Sequence, residues 1–323
     1  MNATAAGSAA ATDPALAARF AASLARLQPT AGRIGLAVSG GADSLALLLL
    51  AQAVRPGGFA VATVDHGLRP AAAAECAMVA DVCAARAIPC TILSVRPDAG
   101  NLQARARDAR YAALGAWASD HGLGALLTAH HADDQAETLL MRLNRGSGTA
   151  GLSGVRARGK VPGSDLPLLR PLLGFRRRDL AALVRAHGLT AVNDPSNSDI
   201  RFDRVRVRQA LEQADWLDPA ALAASAAHLA DGAEALAWAA DREWAEQVKQ
   251  QGSALRYLPH APRAIRLAIV TRALALLSHA PRGGDAARLL DLLEGGSGGN
   301  VAGVLARALP DGWLFTPEPP RGG

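Results

Sequence analysis

The chain has 323 residues, half of them hydrophobic and a fifth charged, which is typical of a folded protein and excludes a largely disordered one. Its longest apolar run, Leu45 to Ala51, is too short to span a bilayer. Residues 1–12 lack the basic start and the long apolar stretch of a secretory signal. We therefore expect a cytoplasmic protein that does not cross a membrane.

Charge and cysteine content narrow the function classes. The net charge is +5 and the pI about 9.7, and almost every cation is an arginine. Arginine makes forked contacts with phosphate, so the composition weakly favours a nucleic-acid partner. The three cysteines, Cys76, Cys83 and Cys90, show no CxxC spacing, which argues against a disulfide framework and against a zinc or iron–sulfur site.

The first 145 residues predict alternating helices and strands. An opening helix is predicted at 14–27. Apolar strands are then predicted at 33–38, 59–64, 90–95 and 125–129, and helices at 45–54, 71–87, 103–121 and 133–145. This alternation predicts an α/β fold with a doubly wound parallel sheet, and ligands bind such sheets at the carboxyl ends of the strands.

The rest of the chain predicts two further regions. Residues 146–165 form a long glycine- and serine-rich loop, which in a compact domain is usually functional or mobile. A strand at 168–173, a helix at 175–187 and a polar stretch at 194–208 that leads into another helix follow. Alanine-rich composition from Trp216 to Leu277 predicts a small all-helical domain, and residues 281–323 receive no assignment. We therefore expect two domains, 1–215 and 216–323.

The segment SGGADS at 39–44 connects the first predicted strand to a helix. Unpaired N–H groups and the helix dipole attract anions there, and glycine lets the backbone approach a phosphate closely. An ordinary glycine turn is the alternative. Asp43 would repel a polyphosphate unless Mg²⁺ lay between them, so we predict that it binds this metal. The predicted nucleotide-binding residues of the segment are Ser39, Gly40, Gly41, Ala42, Asp43 and Ser44.

This segment matches neither the GxxxxGK phosphate loop nor the GxGxxG dinucleotide fingerprint. It resembles the loop of the N-type ATP pyrophosphatases, or PP-loop proteins. Four further segments are VDHGLRP (64–70), NLQARARDARY (101–111), TAHHADDQAETLLMRLNRGSGTAGLSGV (128–155) and DPSNSDIRFDRVRVR (194–208). Together with SGGADS, they resemble the tRNA(Ile)-lysidine synthetase family over roughly residues 33–210. This resemblance implies a Rossmann-like fold of the adenine nucleotide α-hydrolase type.

The resemblance also implies a reaction with ATP, Mg²⁺, free L-lysine and the isoleucine tRNA with a CAU anticodon. ATP adenylates the 2-carbonyl oxygen of the wobble cytidine and releases pyrophosphate. The ε-amine of lysine then displaces AMP to form lysidine. Residues 216–323 would contribute to tRNA binding.

Several residues outside the loop suit this chemistry. Asp134 and Glu137 lie three apart on one predicted helix and would share a face that receives the lysine ammonium, although they also suit an ordinary acidic helix start. Asp133 would point elsewhere and cap this helix. His130, at the end of the fourth strand, could bind phosphate or developing charge, or be structural. Asp65 and His66 end the second strand, where related folds recognise the nucleoside.

Arginines supply the predicted contacts to anionic groups. The resemblance implies that the segment containing Arg107 and Arg110 holds the lysine carboxylate and the base, and we choose Arg110 as the substrate contact. It also implies a tRNA or intermediate contact for Arg204 and Arg208, which form one stripe if they are helical. The segment from Arg145 to Lys160 looks like an RNA-facing flap. A solvated basic face is the alternative for these arginines.

Two other function classes remain open from the residues. A tRNA cytidine thiolase of the same loop family would need suitably paired cysteines, which the chain lacks. A non-catalytic nucleotide or RNA-binding module could keep the loop, but the acidic and basic residues predicted around it favour an enzyme.

Overall fold

The computed structural model describes residues 12–27, 32–67, 70–96, 102–192, 199–277 and 284–318. Packing of the chain divides it into two compact units, Met1–Ala230 and Asp231–Gly323. Parts of several predicted segments fall outside the described residues, namely residues 68–69, 101, 193–198, 281–283 and 319–323.

The first unit contains the predicted alternation of helices and strands. Its elements are α1 (Pro14–Leu27), β1 (Ile34–Ala37), α2 (Ala42–Val54), β2 (Phe59–Asp65), α3 (Pro70–Ala84), β3 (Cys90–Ser94), α4 (Leu102–Asp120), β4 (Leu126–Leu127), α5 (Ala132–Leu143), α6 (Thr149–Leu152), β5 (Arg158–Lys160), β6 (Pro167–Leu169), α7 (Arg177–Ala186), α8 (Asp203–Gln213) and the start of α9 (Pro219–Gln247).

The strands of the first unit form one six-stranded sheet in the order β3-β2-β1-β4-β6-β5. The first five of these run parallel, with Leu36 of β1 paired to Val61 of β2 and to Leu127 of β4. This confirms the predicted α/β fold. The edge strand β5 is antiparallel to β6 and was not predicted, because its sequence RGK carries none of the apolar alternation that identifies a strand.

Both faces of the sheet are covered, as expected for a doubly wound fold. On one face, α2 is buried from Ser44 to Ala51 and packs in a common core with α1 and α7. On the other face, Tyr111, Leu114 and Trp117 of α4 form a second core. A Cβ atom on Gly35 would lie 2.7 Å from the Trp117 ring, so this close approach of helix and sheet requires glycine.

The second unit is only partly helical. It contains the end of α9 and the elements β7 (Val248–Gln251), β8 (Ala254–Tyr257), α10 (Arg263–Leu277), α11 (Asp285–Glu294), β9 (Gly298–Val301), β10 (Val304–Leu309) and β11 (Gly312–Pro317). The strands form an antiparallel sheet in the order β7-β8-β11-β10-β9.

The helices predicted for the C-terminal region are therefore present, but the prediction that 216–277 is entirely helical is wrong. Strands β7 and β8 interrupt that region, and β8 pairs with β11, which lies more than fifty residues later in the chain. Such long-range pairing leaves little local signal in the sequence. None of the helices within the described ranges has the length and apolar composition needed to cross a membrane.

Candidate active site

The loop at 39–41 joins the carboxyl end of β1 to α2. Gly40 has a φ of +85°, a conformation that favours glycine, and Gly41 is the N-cap residue of α2 without a side-chain cap. The Ser44 hydroxyl donates to the Gly41 carbonyl (2.9 Å) and accepts from the Ser39 N–H (3.2 Å). The Ser44 hydroxyl thus fixes the conformation of the loop. Because the N-cap residue Gly41 has no side chain to cap the helix, the first-turn N–H groups of α2 have no side-chain partner from it, as an anion site requires.

A cavity of about 530 Å³ opens beside this loop, at the carboxyl ends of β1, β2 and β4. The predicted site residues in its walls are Ser39, Gly41, Asp43, Ser44, His66, Arg110, His130, Asp134 and Arg204. Predicted residues that do not line it are Gly40, Ala42, Asp65, Arg107, Glu137, Arg145 and Arg208. The structure therefore brings the loop, the second strand end, α4, α5 and α8 to one place.

His131 joins the two carboxylates that matter most in the predicted chemistry. Its Nε2 lies 3.4 Å from Asp43 Oδ2 and 3.6 Å from Asp134 Oδ2. Its Nδ1 accepts a hydrogen bond from the Asp134 N–H, which assigns the ring proton of the neutral form to Nε2, facing both acids. Asp43 and Asp134 are therefore held on the same side of the sheet by one buried imidazole.

The charge of His131 reflects two opposing effects. Burial lowers the pKa of this imidazole, but the hydrogen bond to Asp43 and the charges of Asp134, Asp43 and Asp133 outweigh it and raise the pKa above the usual value. A second proton on Nδ1 would break the hydrogen bond from the Asp134 N–H. Protonation of His131 would therefore change both the charge in the cavity and the hydrogen bond that caps α5.

The start of α5 differs from the prediction. Asp133 was expected to cap the helix, but the N-cap residue is His131, which forms a capping box with Asp134. The Asp134 carboxylate accepts from the His131 N–H at 3.0 Å. Asp133 instead accepts from the backbone N–H of Arg177, at the first turn of α7. The cap was missed because histidine is not among the residue types that usually occupy this position.

Glu137 is buried in an ion-pair network with α8. Its side chain is 2% exposed, and its oxygens lie 2.8 Å from Arg204 Nε and 2.6 Å from Arg208 Nε. Arg204 also lies 3.7 Å from Asp134 Oδ1 and donates to the Thr138 hydroxyl. Glu137 and Asp134 share a helix face, but that face contacts two guanidinium groups, so Glu137 is satisfied by arginine before any ligand binds.

Arg110 and His66 face the cavity with unpaired polar atoms. Arg110 Nε and His66 Nδ1 are buried and have no hydrogen-bond partner. Burial and the nearby Arg110 charge lower the pKa of His66, and Asp65 opposes them only in part. His66 is therefore neutral near pH 7 and can accept or donate one hydrogen bond. Asp65 itself turns back and accepts from the Gly67 N–H.

Three other arginine-rich features lie outside this cavity or beside it. The Arg107 guanidinium packs over the Tyr111 ring, 5.1 Å from its centroid, and is exposed. Arg145 is exposed and pairs with Asp203 at 3.2 Å. The segment predicted as a flap is fastened to α5, because the Gln135 side chain bonds both N–H and C=O of Val155, and Arg142 donates to the carbonyls of Gly151 and Gly154.

Sequence reasoning missed two site features. His131 was passed over in favour of His130, because adjacent histidines after a strand give no local signal of which one turns inward. Arg170 follows β6, is 9% exposed, and donates to the Arg156 carbonyl at 2.7 Å. Burial lowers the pKa of the Arg170 guanidinium. Arg170 was missed because the sequence around it predicts only an apolar strand.

His130 lines the cavity, and Nδ1 lies 3.0 Å from the Thr128 hydroxyl. Burial lowers the pKa of His130 to about 4; the Asp134 charge opposes this shift, while Arg170, Arg204 and Arg107 reinforce it. The ring is thus neutral in the folded protein throughout the physiological range.

The pH dependence of stability follows from this depressed pKa. The unfolded chain takes up a proton at His130 near pH 6.5, while the folded chain does not until about pH 4. Stability is therefore fully present above pH 6.5 and is lost as the pH falls toward 4. Between pH 8 and pH 5, we expect His130 to account for roughly 2 kcal/mol of lost unfolding free energy.

Urea unfolding at both pH values checks this expectation. Between pH 8 and pH 5, the unfolding free energy of His130→Asn should fall by roughly 2 kcal/mol less than that of the unmodified protein. His121→Asn, at an exposed position just after α4, is the control and should leave the difference intact. Equal pH dependence in the His130→Asn variant and the unmodified protein would contradict a neutral buried ring.

Asp43 offers a place for a metal ion. Its Oδ1 is buried and has no hydrogen-bond partner, which is costly for a carboxylate unless a cation satisfies it. Within the described ranges, no three or more His, Cys, Asp or Glu side chains are arranged around a metal position. Mg²⁺ is usually held by one or two carboxylates together with phosphate oxygens and water. The residues therefore fit a Mg²⁺ ion that arrives with a nucleotide.

Known proteins resemble this chain over nearly its whole length. The PP-loop domain model of the ATP_bind_3 family matches residues 14–214. A tRNA(Ile)-lysidine synthase of Novosphingobium aromaticivorans is 49% identical over 307 residues, with 94% of each chain covered. Another, of Zymomonas mobilis subsp. mobilis, is 41% identical over 300 residues, with 91% of each covered.

A solved structure agrees on the fold. The U34-tRNA thiolase NcsA from Methanococcus maripaludis superposes with a TM-score of 0.53 at 15% identity, over 65% of this chain and 76% of that one. At that identity the likeness concerns the fold alone. The family match over more than half of the chain and the closely similar relatives confirm the resemblance first seen in the motifs: the chain belongs to the tRNA(Ile)-lysidine synthase family of PP-loop proteins.

Proposed function

We propose that this protein uses ATP to attach lysine to the 2-position of the wobble cytidine in the isoleucine tRNA with a CAU anticodon, forming lysidine. The relatives that share up to 49% of its residues carry that name. We place the reaction in the cytoplasm, with ATP, Mg²⁺, free L-lysine and tRNA(Ile) as the participants. The protein is thus a ligase that converts ATP to AMP and pyrophosphate.

The first step is adenylation of the base. The backbone N–H groups at the start of α2 would bind the phosphates, with Ser39 and Ser44 beside them. When bound, Mg²⁺ would neutralise charge on the phosphates, and Asp43 would hold it. The cytidine O2 attacks the α-phosphorus while the bond to the leaving pyrophosphate breaks. His66 and Arg110 also line the cavity, where their unpaired nitrogen atoms can contact the nucleoside or the lysine carboxylate.

The second step is attack by the lysine ε-amine on C2, with loss of AMP. Asp134 lines the cavity and has one oxygen directed away from its helix cap, toward Arg204. We propose that this carboxylate orients the ammonium group and accepts the proton that it loses. Arg204 would contact the AMP phosphate or the lysine carboxylate. Glu137 then acts as a positioning residue, because it fixes Arg204 at the cavity wall.

One observation carries this proposal. Asp43, with its buried unpaired oxygen, and Asp134 lie 3.4 and 3.6 Å from the same nitrogen of His131. A nucleotide bound at the loop would therefore lie in the same cavity as Asp134, the carboxylate proposed to bind the lysine amine. A thiolase has less support, since Cys76 is the one cysteine in the described cavity wall, and burial raises the pKa of its thiol.

Incorporation of labelled lysine tests the function. Purified protein with Mg²⁺, ATP and an unmodified CAU tRNA(Ile) transcript should transfer label into the RNA and release pyrophosphate. A transcript with uridine in place of the wobble cytidine is the control and should stay unlabelled. If folded protein that binds ATP transfers no lysine to the CAU transcript, the proposed function is wrong.

A substitution of Asp134 tests the division of roles. Asp134→Asn keeps an oxygen that can accept from the His131 N–H, so the helix cap should survive. It removes the charge that would orient the lysine amine and take its proton, and loss of such a base typically costs 10²–10⁴-fold. We expect single-turnover lysine transfer to slow by roughly 100-fold while the dissociation constant for ATP changes little. A comparable loss of ATP affinity would show that the acid serves the nucleotide instead.

The second unit is proposed to contact tRNA as well, but not through net charge. Residues 231–323 contain ten Lys and Arg and ten Asp and Glu, so residues 1–230 carry the whole excess of +5. Exposed apolar side chains such as Trp238 are its better candidates for contacts with RNA.

A further inference from the structure

A second cavity of about 630 Å³ lies in the first unit, between α5 and α8. Its floor is apolar and includes Leu140 and Met141 from α5 and Val207 and Leu211 from α8. Its volume falls within the roughly 300–1,000 Å³ of sites that hold small organic groups. The lysidine chemistry described above does not use this groove.

Trp216 stands at one end of the groove with 79% of its surface exposed. It follows α8 directly, and the turn that carries it is fixed on both sides. The Leu217 N–H donates to the Ala214 carbonyl, and Asp218, just before α9, pairs with Arg176 at 2.8 Å. The backbone of this turn is therefore fixed, and an indole that folding leaves in water has a large flat face available for stacking.

Two guanidinium groups stand at the rim of the groove. Arg145 and Arg206 are both largely exposed and both contact the carboxylate of Asp203. One carboxylate orients two cations, so the rim keeps a net positive charge. An arginine has five N–H donors, which leaves each of these groups free to contact a phosphate. An aromatic face beside cations is the combination that binds unpaired nucleotides.

The groove also lies next to the proposed reaction centre. Helix α8 carries Arg204 on the wall of the nucleotide cavity and Arg206 and Val207 on the groove. Helix α5 likewise runs from Asp134 at the cavity to Leu140 and Met141 at the groove. An RNA strand that delivers one base to the cavity would therefore pass the groove within the width of one helix.

We propose that the groove between α5 and α8 binds an unpaired nucleobase of the substrate tRNA, stacked on Trp216, with its phosphates on Arg145 and Arg206. This inference rests on the proposed function, which supplies the RNA. RNA fits better than a protein segment, because the excess positive charge of the chain lies in residues 1–230 and two of its cations line this rim. The groove would hold a neighbour of the target cytidine while that base is inserted into the cavity.

Binding of the CAU tRNA(Ile) transcript to Trp216→Ala tests the proposal. We expect the dissociation constant to rise roughly 5- to 150-fold, as for loss of one aromatic stacking partner, with ATP affinity unchanged. Trp216→Phe keeps a ring and should bind within a few-fold of the unmodified protein. Leu143→Ala, an exposed apolar position on the same α5 outside the groove, is the control and should bind normally.

Two further measurements separate stacking from other causes. The transcript should quench tryptophan fluorescence in the unmodified protein and in Leu143→Ala, and quench it less in Trp216→Phe. Arg206→Gln should reduce the slope of log affinity against log salt by about one. Unchanged tRNA affinity in Trp216→Ala would overturn the proposal, and a change in its sedimentation mass with unchanged affinity would assign the groove to a protein contact. Failure of the unmodified protein to transfer lysine would instead count against the proposed function.

Discussion

Replacing Asp43 with asparagine is expected to slow pyrophosphate release from ATP by roughly 1,000-fold, equivalent to about 4 kcal/mol of transition-state stabilisation. The physical reason is the buried Oδ1 that has no partner in the protein. Asparagine has nearly the same shape but no charge, so it would hold Mg²⁺ weakly, and the charge on the phosphates would be less neutralised. Release of pyrophosphate from ATP radiolabelled at the γ-phosphate, or a coupled fluorescence assay, measures the loss at saturating tRNA and lysine.

Asp133→Asn is the matched control for this change. Asp133 also lies near His131, at 3.8 Å from Nδ1, but it faces α7 and is absent from the cavity wall. Its amide oxygen can still accept from the Arg177 N–H, so activity should fall by less than about tenfold. Equal losses in the two variants would mean that Asp43 acts through the charge of His131, and the assignment of a metal to Asp43 would be wrong.

Much of the fold could be predicted from local patterns. Short apolar strands and longer helical segments alternate clearly up to position 145, and α1 has the predicted bounds of Pro14–Leu27. The strands that were missed are short and depend on pairing with other strands rather than on an apolar pattern of their own. Strand β5 has no apolar pattern of its own and exists because it pairs with β6, and β7 and β8 are four-residue strands that depend on β11.

The site divides in the same way. The motif SGGADS indicated the proposed anion-binding loop, because its features are local: a glycine suited to positive φ, a strand before it and a helix start after it. The partners of Glu137 are not local, since Arg204 and Arg208 lie 67 and 71 residues further along the chain. Spacing showed that Asp134 and Glu137 share a helix face, but only the packing of α8 against α5 shows what that face contacts.

Among the substitutions proposed for this protein, removing the Glu137 side chain is expected to lower the free energy of unfolding the most. Glu137→Ala leaves Arg208, whose side chain is 20% exposed, without its carboxylate in a mostly buried position. Breaking a buried pair in this way typically costs about 3–5 kcal/mol. Arg204 is 42% exposed and can turn toward water, so we expect the lower end, about 3 kcal/mol of unfolding free energy in urea titration.

A double substitution separates stability from the positioning role. Glu137→Met with Arg208→Met replaces the buried charges by apolar groups of similar length, which often restores stability. We expect the double variant to recover at least half of the loss seen in Glu137→Ala. Lysine transfer should stay slow, because Arg204 would still lack the carboxylate that fixes it at the cavity wall. Full activity in a stable double variant would show that Glu137 only supports the fold. Persistent inactivity in Glu137→Met with Arg208→Met, with normal binding of ATP and tRNA and with an active Arg208→Met single variant, would place Glu137, through Arg204, in the transfer step.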